Sequence, residues 1–293
     1  RSTVGDRNGR PVWRVGRQKG RFEIFAQINH MAIISSNFAL LQRFYQSLFK
    51  FDTSGRNDPE SAPVVSDGYL GMNIIPHRDG YVGGLDHFGM IVESIDEVKE
   101  RMKGAHPKAN IVKRPSARPF AAYSGHDPDG NVFDLSERNG ANLKDVYAEH
   151  EGEGDSEACY FNRFALRTPN AEQCAEFYAE VFELTPTNRK PHDPNFHLTD
   201  GRMTLTVMPW SIETFHGMSI KRPGPDHLGI HVADLGEFEK ERKRIGEKNT
   251  YLATRTMGGS QESEIRRKLF GSNALGKIQI ADPDGTWIDI TDE

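Results

Sequence analysis

Three residues in the first half of the chain are of types that bind divalent metals. His30 lies inside the apolar run 28–34 and His87 inside the apolar run 85–92, so each histidine is predicted to project from a buried strand. Asp134 lies in a later apolar segment, directly after an Asp-Pro-Asp-Gly-Asn turn. A lone histidine in such a run is usually a core residue. Two imidazoles and one carboxylate on separate strands are instead a candidate metal site.

An internal repeat supports this interpretation. Residues 29–76 align without a gap on 162–209, and the Asp-His pair at 86–87 recurs at 226–227. The Asp-Pro-Asp-Gly turn also recurs, at a larger offset, because the second half carries insertions. The identical positions include Asn29/Asn162, Ala32/Ala165, Asn37/Asn170, Phe44/Phe177, Tyr45/Tyr178, Phe49/Phe182, Asp67/Asp200, Gly68/Gly201 and Pro76/Pro209. The chain is therefore a duplicated unit built around a histidine-bearing strand.

Each half of the chain contains two modules, and each module is predicted to consist of a strand, a helix and about three further strands. In the first module an N-cap at 36–37 precedes a helix over 38–49, and short segments divided by turn residues follow. The second module begins with strand 85–92 and continues with a helix over 94–103. Repetition of this βαβββ pattern in both halves predicts four modules and an α+β fold.

Composition sets the domain boundaries. Residues 1–24 form a basic N-terminal arm, which we expect to lie on the surface. Residues 25–140 form a first domain, 141–157 an acidic, glycine-containing linker, and 158–293 a second domain. The second domain contains a polar insertion at 256–276, which we interpret as a lid or a loop.

From about residue 25 to 292 the chain resembles the vicinal oxygen chelate superfamily. That superfamily includes glyoxalase I, fosfomycin-resistance proteins, methylmalonyl-CoA epimerase and the two-domain extradiol ring-cleaving dioxygenases. The resemblance rests on the strand start apolar-Asp-His-apolar-Gly and on the turn Asp-Pro-Asp-Gly-Asn followed by two apolar residues and an acid. Four modules in one chain look most like the extradiol dioxygenases. The resemblance implies that the modules pair into two half-open barrel domains.

The resemblance also implies the ligands. In that family they come from the first strand of each module and from a last strand, which here correspond to His30, His87 and Asp134. The family usually has Glu at the last position, and the shorter Asp134 would draw the metal towards its strand or lower the affinity. Such a set leaves positions open for substrate and dioxygen, which suits Fe(II). Mn(II), Zn(II) and Ni(II) are the alternatives.

Ring cleavage next to iron also requires a group that accepts a catechol proton. His77 lies roughly where the extradiol family carries a histidine outside the metal ligands. Tyr123 resembles the family tyrosine that contacts the substrate hydroxyl, and His126 could take either role. The alternative for His77 and His126 is an exposed loop histidine. Residues 113–120 contain no histidine, although many extradiol enzymes have one there.

The second half lacks one member of the set. Arg163 occupies the position of His30, which leaves His227 and Asp289 without a third ligand. We expect Arg163 to pair with Asp289 and the second half to be structural. A carboxylate-binding pocket lined by Arg163 is the functional alternative.

Three functions fit these patterns. The first is an extradiol-type dioxygenase that cleaves a catechol-like aromatic through Fe(II). The second is a glyoxalase-like lyase or isomerase that uses a divalent metal as a Lewis acid. Such sites often take a fourth ligand from the last strand of the first module, where this chain offers only Met72 or Asn73. The third is a non-catalytic protein that binds a small molecule.

Composition narrows the partners. A formal net charge of -5 gives no sign of nucleic-acid binding. No apolar run approaches the roughly 18 residues that a membrane helix needs. Cys159 and Cys174 are the only cysteines, too few for a disulfide framework, so we expect a cytoplasmic protein. The expected partner is a small aromatic diol, and a homo-oligomer is possible.

Overall fold

A computed structural model of the protein describes most of both predicted domains. The described residues are 25–53, 63–104, 106–118, 121–138, 158–187, 189–211, 223–255 and 275–293, with positions 261, 264, 265, 267 and 268. The basic arm 1–24, the linker 141–157 and most of the insertion 256–276 lie outside them.

The first two modules form one eight-stranded mixed sheet, in the order β2-β3-β4-β1-β5-β8-β7-β6. Its strands are β1 (Ala26–Ser35), β2 (Asp52–Thr53), β3 (Val64–Ser66), β4 (Gly71–Pro76), β5 (Gly84–Val92), β6 (Asn110–Arg118), β7 (Ala121–His126) and β8 (Val132–Glu137). Its helices are α1 (Phe38–Phe49) and α2 (Ile95–Met102). The central pair β1 and β5 is antiparallel, and each of these strands has a parallel outer neighbour, β4 or β8.

The last two modules form a seven-stranded mixed sheet, in the order β10-β11-β12-β9-β13-β15-β14. Its strands are β9 (Cys159–Thr168), β10 (Thr185–Pro186), β11 (Phe196–Thr199), β12 (Thr204–Pro209), β13 (Gly224–Val232), β14 (Ile278–Ala281) and β15 (Trp287–Thr291). Its helices are α3 (Ala171–Phe182) and α4 (Leu235–Lys248), followed by a short 3-10 turn at Thr250–Leu252. The predicted α+β fold with two paired-module sheets is confirmed.

Two elements differ from the prediction. After α4 the described part of the fourth module has two strands, and Arg255 adds a single bridge to Ala281 where a third strand was expected. Strand β7 extends to His126, for which an exposed loop position was the alternative expectation, because the turn after it is tight enough to pair His126 with Val132. His126 therefore belongs to a strand and not to a loop.

Helix α1 has the predicted bounds, and local chemistry explains them. The Asn37 side chain accepts a hydrogen bond from the Leu40 amide at 3.2 Å, which caps the first turn. The helix ends at Lys50, which adopts a left-handed conformation with φ of 62°. Phe44 and Tyr45 are among the residues of its buried face.

The Asp-Pro-Asp-Gly turns bind the two halves to each other. Asp282, in the turn of the second half, accepts a hydrogen bond from the hydroxyl of Tyr45 at 3.1 Å. Asp127, in the turn of the first half, accepts one from the hydroxyl of Tyr178, also at 3.1 Å. Both carboxylates are fully buried. The repeat is thus also a reciprocal contact, in which each half supplies a tyrosine to the turn of the other.

A second reciprocal pair lies at the start of each sheet. Asp200 accepts a hydrogen bond from the Ile28 amide at 2.7 Å, and Asp67 accepts one from the Phe161 amide at 2.8 Å. Burial raises the pKa of both carboxyl groups, although the backbone amides partly oppose the shift. The aspartate of each Asp-Gly turn therefore accepts a hydrogen bond from a buried backbone amide in the other half of the chain, which would otherwise lack an acceptor.

Neither cysteine forms a disulfide, and Cys174 is buried. Within the described ranges, no helix has the length and apolar character needed to span a bilayer.

Candidate metal centre

The candidate ligands lie on one row across the first sheet. His30 on β1 is opposite Gly89 on β5, Gly89 is opposite Asp134 on β8, and Asp134 is opposite Ser124 on β7. His87 precedes Gly89 by two residues and therefore projects from the same face of β5. The sheet register thus brings both histidines and the carboxylate together, as predicted from the repeat.

Gly89 makes room for the His30 imidazole. A Cβ atom at this position would lie 2.0 Å from His30 Cε1 and 2.6 Å from Nε2. His30 is only 2% exposed, so its ring has little space to move away. The glycine of the apolar-Asp-His-apolar-Gly motif is therefore part of the site, because the imidazole of the neighbouring strand lies over it.

Two β-bulges orient the histidines. Asn29 and Asp86 are the extra residues of these bulges, and each immediately precedes a histidine. His30 Nδ1 donates to the Asn29 side-chain oxygen at 2.9 Å, and His87 Nδ1 donates to Asp86 at 2.7 Å. Both rings consequently turn Nε2 towards Asp134. Oxygen partners on the second ring nitrogen are a common feature of metal-binding histidines.

The donor atoms are close enough to share an ion. His87 Nε2 lies 3.3 Å from Asp134 Oδ2, and His30 Nε2 lies 4.0 Å from the same oxygen. All three candidate ligand atoms lie within 4.8 Å of one another. Ligands at about 2.1 Å from one metal stand about 3 Å apart when adjacent. The residues therefore fit a divalent metal with a small contraction of the cluster.

Arg114 also contacts the carboxylate, which the sequence patterns did not indicate. Its Nη2 donates to Asp134 Oδ1 at 2.5 Å and to Oδ2 at 2.7 Å. Ser124 donates to Oδ1 at 2.6 Å. Strand alternation could have indicated that Arg114 and its neighbour Lys113 face opposite sides of β6. Which of the two approaches Asp134 depends on the register of β6, β7 and β8.

The cluster is electrostatically asymmetric. Burial lowers the pKa of His30 to about 3, and the charge of His87 adds to this effect, so His30 is neutral. Burial also opposes charge on His87, but hydrogen bonds from its ring to Asp134 and Asp86 outweigh burial and raise its pKa to about 9. Burial would raise the pKa of Asp134, yet hydrogen bonds from His87 and Arg114 hold it well below its usual range. A metal must therefore displace a proton from His87 at neutral pH.

The structure does not bring His77 to this cluster. His77 follows the end of β4, six positions after Gly71, which is the residue opposite His30. At about 3.3 Å per residue this is a separation of about 20 Å along the sheet. His77 is exposed, and its Nε2 donates to the Tyr81 carbonyl at 3.0 Å.

Tyr123 and His126 lie on opposite faces of β7. Tyr123 is opposite the core residue Leu135 and packs against the apolar core, with the Lys99 ammonium 5.3 Å from its ring centre. It therefore faces away from Asp134. His126 shares the face of Ser124, two residues further along the strand, and its Nδ1 donates to the Asp127 carbonyl at 2.9 Å. Of the three predicted acid-base residues, only His126 lies on the side of the cluster.

The second sheet carries the same row with the predicted replacement. Arg163 is opposite Gly229, and Gly229 is opposite Asp289. The Arg163 guanidinium donates to Asp289, and both side chains are buried. Asp289 also accepts from the Leu275 amide at 2.8 Å and the Gly276 amide at 3.1 Å. The cation occupies the space of the missing ligand, as predicted.

A cavity of about 800 Å³ lies between the halves, but it does not enclose the cluster. Asp86 and His87 line one side, and Asp226 and Trp287 line the other, while neither His30 nor Asp134 is among the described residues that line it. On its volume alone, this cavity would be the candidate binding site. His30 and Asp134 lie on the face of the first sheet, and His87 belongs both to the candidate cluster and to the lining of the cavity.

No protein-family model and no curated protein sequence matches the chain. Among solved structures, the Mn(II)-bound glyoxalase from Novosphingobium aromaticivorans is similar, with a TM-score of 0.58, 13% identity, and coverage of 91% of this chain and 82% of that chain. A 2,3-dioxygenase from Pseudomonas sp. KL28 has a TM-score of 0.58 at 12% identity, over 90% of this chain and 91% of its own. Homoprotocatechuate 2,3-dioxygenase from Arthrobacter globiformis has a TM-score of 0.57 at 15% identity, over 90% and 78%. These likenesses show that the chain has the vicinal oxygen chelate fold.

Proposed function

We propose that this protein is a metal-dependent enzyme in which His30, His87 and Asp134 hold a divalent ion. The observation that carries the proposal is the convergence of two oriented Nε2 atoms and one carboxylate oxygen within 4.8 Å. The three side chains come from three different strands, and each accepts or donates a hydrogen bond of its own that orients it. Among the described residues of the second half, the equivalent row contains Arg163 and forms no such set.

The substrate class proposed is a catechol-like aromatic diol, and the reaction is extradiol-type ring cleavage with Fe(II). When bound, the metal would supply a Lewis acid for two adjacent substrate oxygens and a redox centre for dioxygen. Asn29 and Asp86 keep both imidazoles in the tautomer that presents Nε2 to the ion. The neutral state of His30 leaves its lone pair available at neutral pH.

His126 is the residue proposed to accept the substrate proton. Its Nδ1 hydrogen is held by a backbone carbonyl, which can only accept, so its Nε2 lone pair is the basic atom. It lies about 7 Å along β7 from Ser124, on the face that carries the cluster. This shared face of the sheet is the observation that supports His126 for the role.

An oxygen-uptake assay tests this proposal. The chain is reconstituted anaerobically with Fe(II), and catechols are screened with an oxygen electrode and by absorbance of ring-opened product. Turnover is expected for the wild type, loss of both metal and turnover for His30→Ala, and retained metal with reduced turnover for His126→Gln. Metal content and catechol turnover that survive unchanged in His30→Ala would refute the proposal.

A second candidate is a glyoxalase-like lyase or isomerase with a divalent metal as Lewis acid. The likeness to a Mn(II)-bound glyoxalase favours it, at the same TM-score as the first dioxygenase compared. Among the residues described, the last strand of the first module offers no acid as a fourth ligand, since Met72 is buried and Asn73 is an amide. Oxygen uptake separates the two reactions, because only ring cleavage consumes dioxygen.

A further inference from the structure

Arg114 places a permanent positive charge next to the candidate metal ligand Asp134. The guanidinium reaches both carboxylate oxygens from β6, an edge strand of the first sheet. Both partners are largely enclosed, with side-chain exposures of 20% and 5%. A guanidinium is a planar cation that matches the geometry of a carboxylate.

The two halves place their arginines differently, and this difference matters for a metal. In the second half Arg163 comes from β9, the strand equivalent to the one that carries His30, and it fills the position of the third ligand. In the first half Arg114 comes from the opposite side of Asp134, two strands away across β7. It leaves both histidines facing Asp134 Oδ2. The first half therefore holds an arginine and a complete ligand set at the same carboxylate.

We propose that Arg114 is a built-in competitor of the metal, which pairs with Asp134 in the metal-free protein and weakens the binding of a divalent ion. This proposal rests on the metal site proposed above. Without metal, the Arg114 guanidinium pairs with the Asp134 carboxylate. With metal, the enclosed site contains a doubly charged ion and a guanidinium against one carboxylate, and like charges at short range in a partly desolvated site repel strongly. The bidentate contact also draws on the oxygen lone pairs that a metal would use.

The alternative is that Arg114 only orients Asp134, as hydrogen-bond partners of ligating carboxylates commonly do. Ser124 already performs that role without charge, through its 2.6 Å bond to Oδ1. The two interpretations predict opposite signs. Removing an orienting partner typically costs about 10–100-fold in metal affinity, whereas removing a competitor increases affinity.

The test is a titration of the full chain with Mn(II) alone, in which the free ion is measured by electron paramagnetic resonance. Arg114→Met keeps an unbranched apolar stem and removes the charge, and Asp134 still has Ser124 as a hydrogen-bond donor and His87 as a neighbour. Lys113→Met is the matched control, because Lys113 directly precedes Arg114 in the sequence and is exposed on the other face of β6. Arg114→Met is expected to bind Mn(II) about tenfold more tightly than the wild type, and Lys113→Met to be unchanged.

Arg114→Lys provides a second measurement should the methionine variant fold poorly. It keeps the charge but cannot span both oxygens, so an intermediate affinity is expected. Wild-type or weaker affinity in the folded Arg114 variants would overturn the competition while leaving the metal site intact. If neither the wild type nor the Arg114 variants bind Mn(II), the metal site is wrong and this inference falls with it.

Discussion

Replacing Gly89 with alanine should remove the metal by displacing one ligand. The new Cβ would lie 2.0 Å from His30 Cε1, whereas carbon atoms in contact lie about 3.5 Å apart. The imidazole must therefore move by about 1.5 Å, or the two strands must separate by a similar amount. Metal-ligand distances tolerate only about 0.2 Å. We expect the affinity for Mn(II) to fall by at least about 100-fold, with a loss of about 1–3 kcal/mol in unfolding free energy from overpacking.

Gly229→Ala is the matched control for this substitution. Its Cβ would lie 2.4 Å from the Asn162 side-chain oxygen and 2.7 Å from Arg163 Cβ, so it overpacks the equivalent row of the second sheet. It should destabilise the protein similarly and leave Mn(II) affinity unchanged. Isothermal titration with Mn(II) and chemical denaturation measure the two quantities on each variant. Wild-type Mn(II) affinity in Gly89→Ala, or an equal loss in Gly229→Ala, would refute the reasoning.

Three further outcomes follow from the charges and hydrogen bonds. Because the pKa of His87 is raised to about 9, Mn(II) binding should release a proton, and the affinity for Mn(II) should rise about tenfold per pH unit from pH 6 to 8. Calorimetry in buffers of different ionisation enthalpy counts the released protons. A count of zero would contradict the assignment of His87 as a ligand. Burial raises the pKa of Asp282 from 3.8 to about 6, so the folded state binds this proton more tightly and its contribution to stability falls as pH rises from about 4 to 6. Asp282→Asn, whose amide can donate to the Tyr45 hydroxyl, should therefore gain up to about 3 kcal/mol relative to the wild type between pH 4 and pH 7 in urea denaturation, and a pH-independent difference would be inconsistent with this. Asp200→Ala leaves the Ile28 amide buried without its acceptor and should cost about 1–3 kcal/mol in unfolding free energy, whereas a change below about 0.5 kcal/mol would mean that this contact between the halves contributes little.

Most of the fold could be predicted from the sequence because the same pattern of strands and helices occurs in both halves, so that each half supports the prediction for the other. Helix α1 was predicted with its observed bounds, since an Asn cap and an apolar face at helical spacing define it locally. The fourth module was less accessible, because its expected third strand is replaced by a bridge at Arg255. The reciprocal contacts between halves, such as Tyr45 with Asp282, depend on tertiary packing that no local pattern records.

Some residues of the candidate site could also be predicted from the sequence, and others could not. His30, His87 and Asp134 could be identified because each occupies a repeated position in a strand, and strand register then brings them together. Arg114 could not, since its contact depends on how the edge strand β6 pairs with β7. Tyr123 was proposed from its resemblance to the family tyrosine, but alternation along β7 turns it towards the core.

His77, which the sequence suggested as an acid-base residue, was misplaced for a different reason. Its distance in sequence from His87 is short, yet β4 and β5 are not neighbours in the sheet, because β1 lies between them. Proximity along the chain therefore did not translate into proximity in space. The residue that remains on the face of the cluster, His126, was proposed for either catalytic role with an exposed loop position as the alternative, and it lies at the end of strand β7.

The most direct test of the account is the metal content of the chain and three histidine variants. Each protein is incubated with excess Mn(II), separated from free ion and analysed by mass spectrometry of the metal. The account predicts about one ion per chain for the wild type and for His227→Ala, the equivalent position in the second half, and almost none for His30→Ala and His87→Ala. Undiminished metal in His30→Ala and His87→Ala, or its loss in His227→Ala alone, would contradict it.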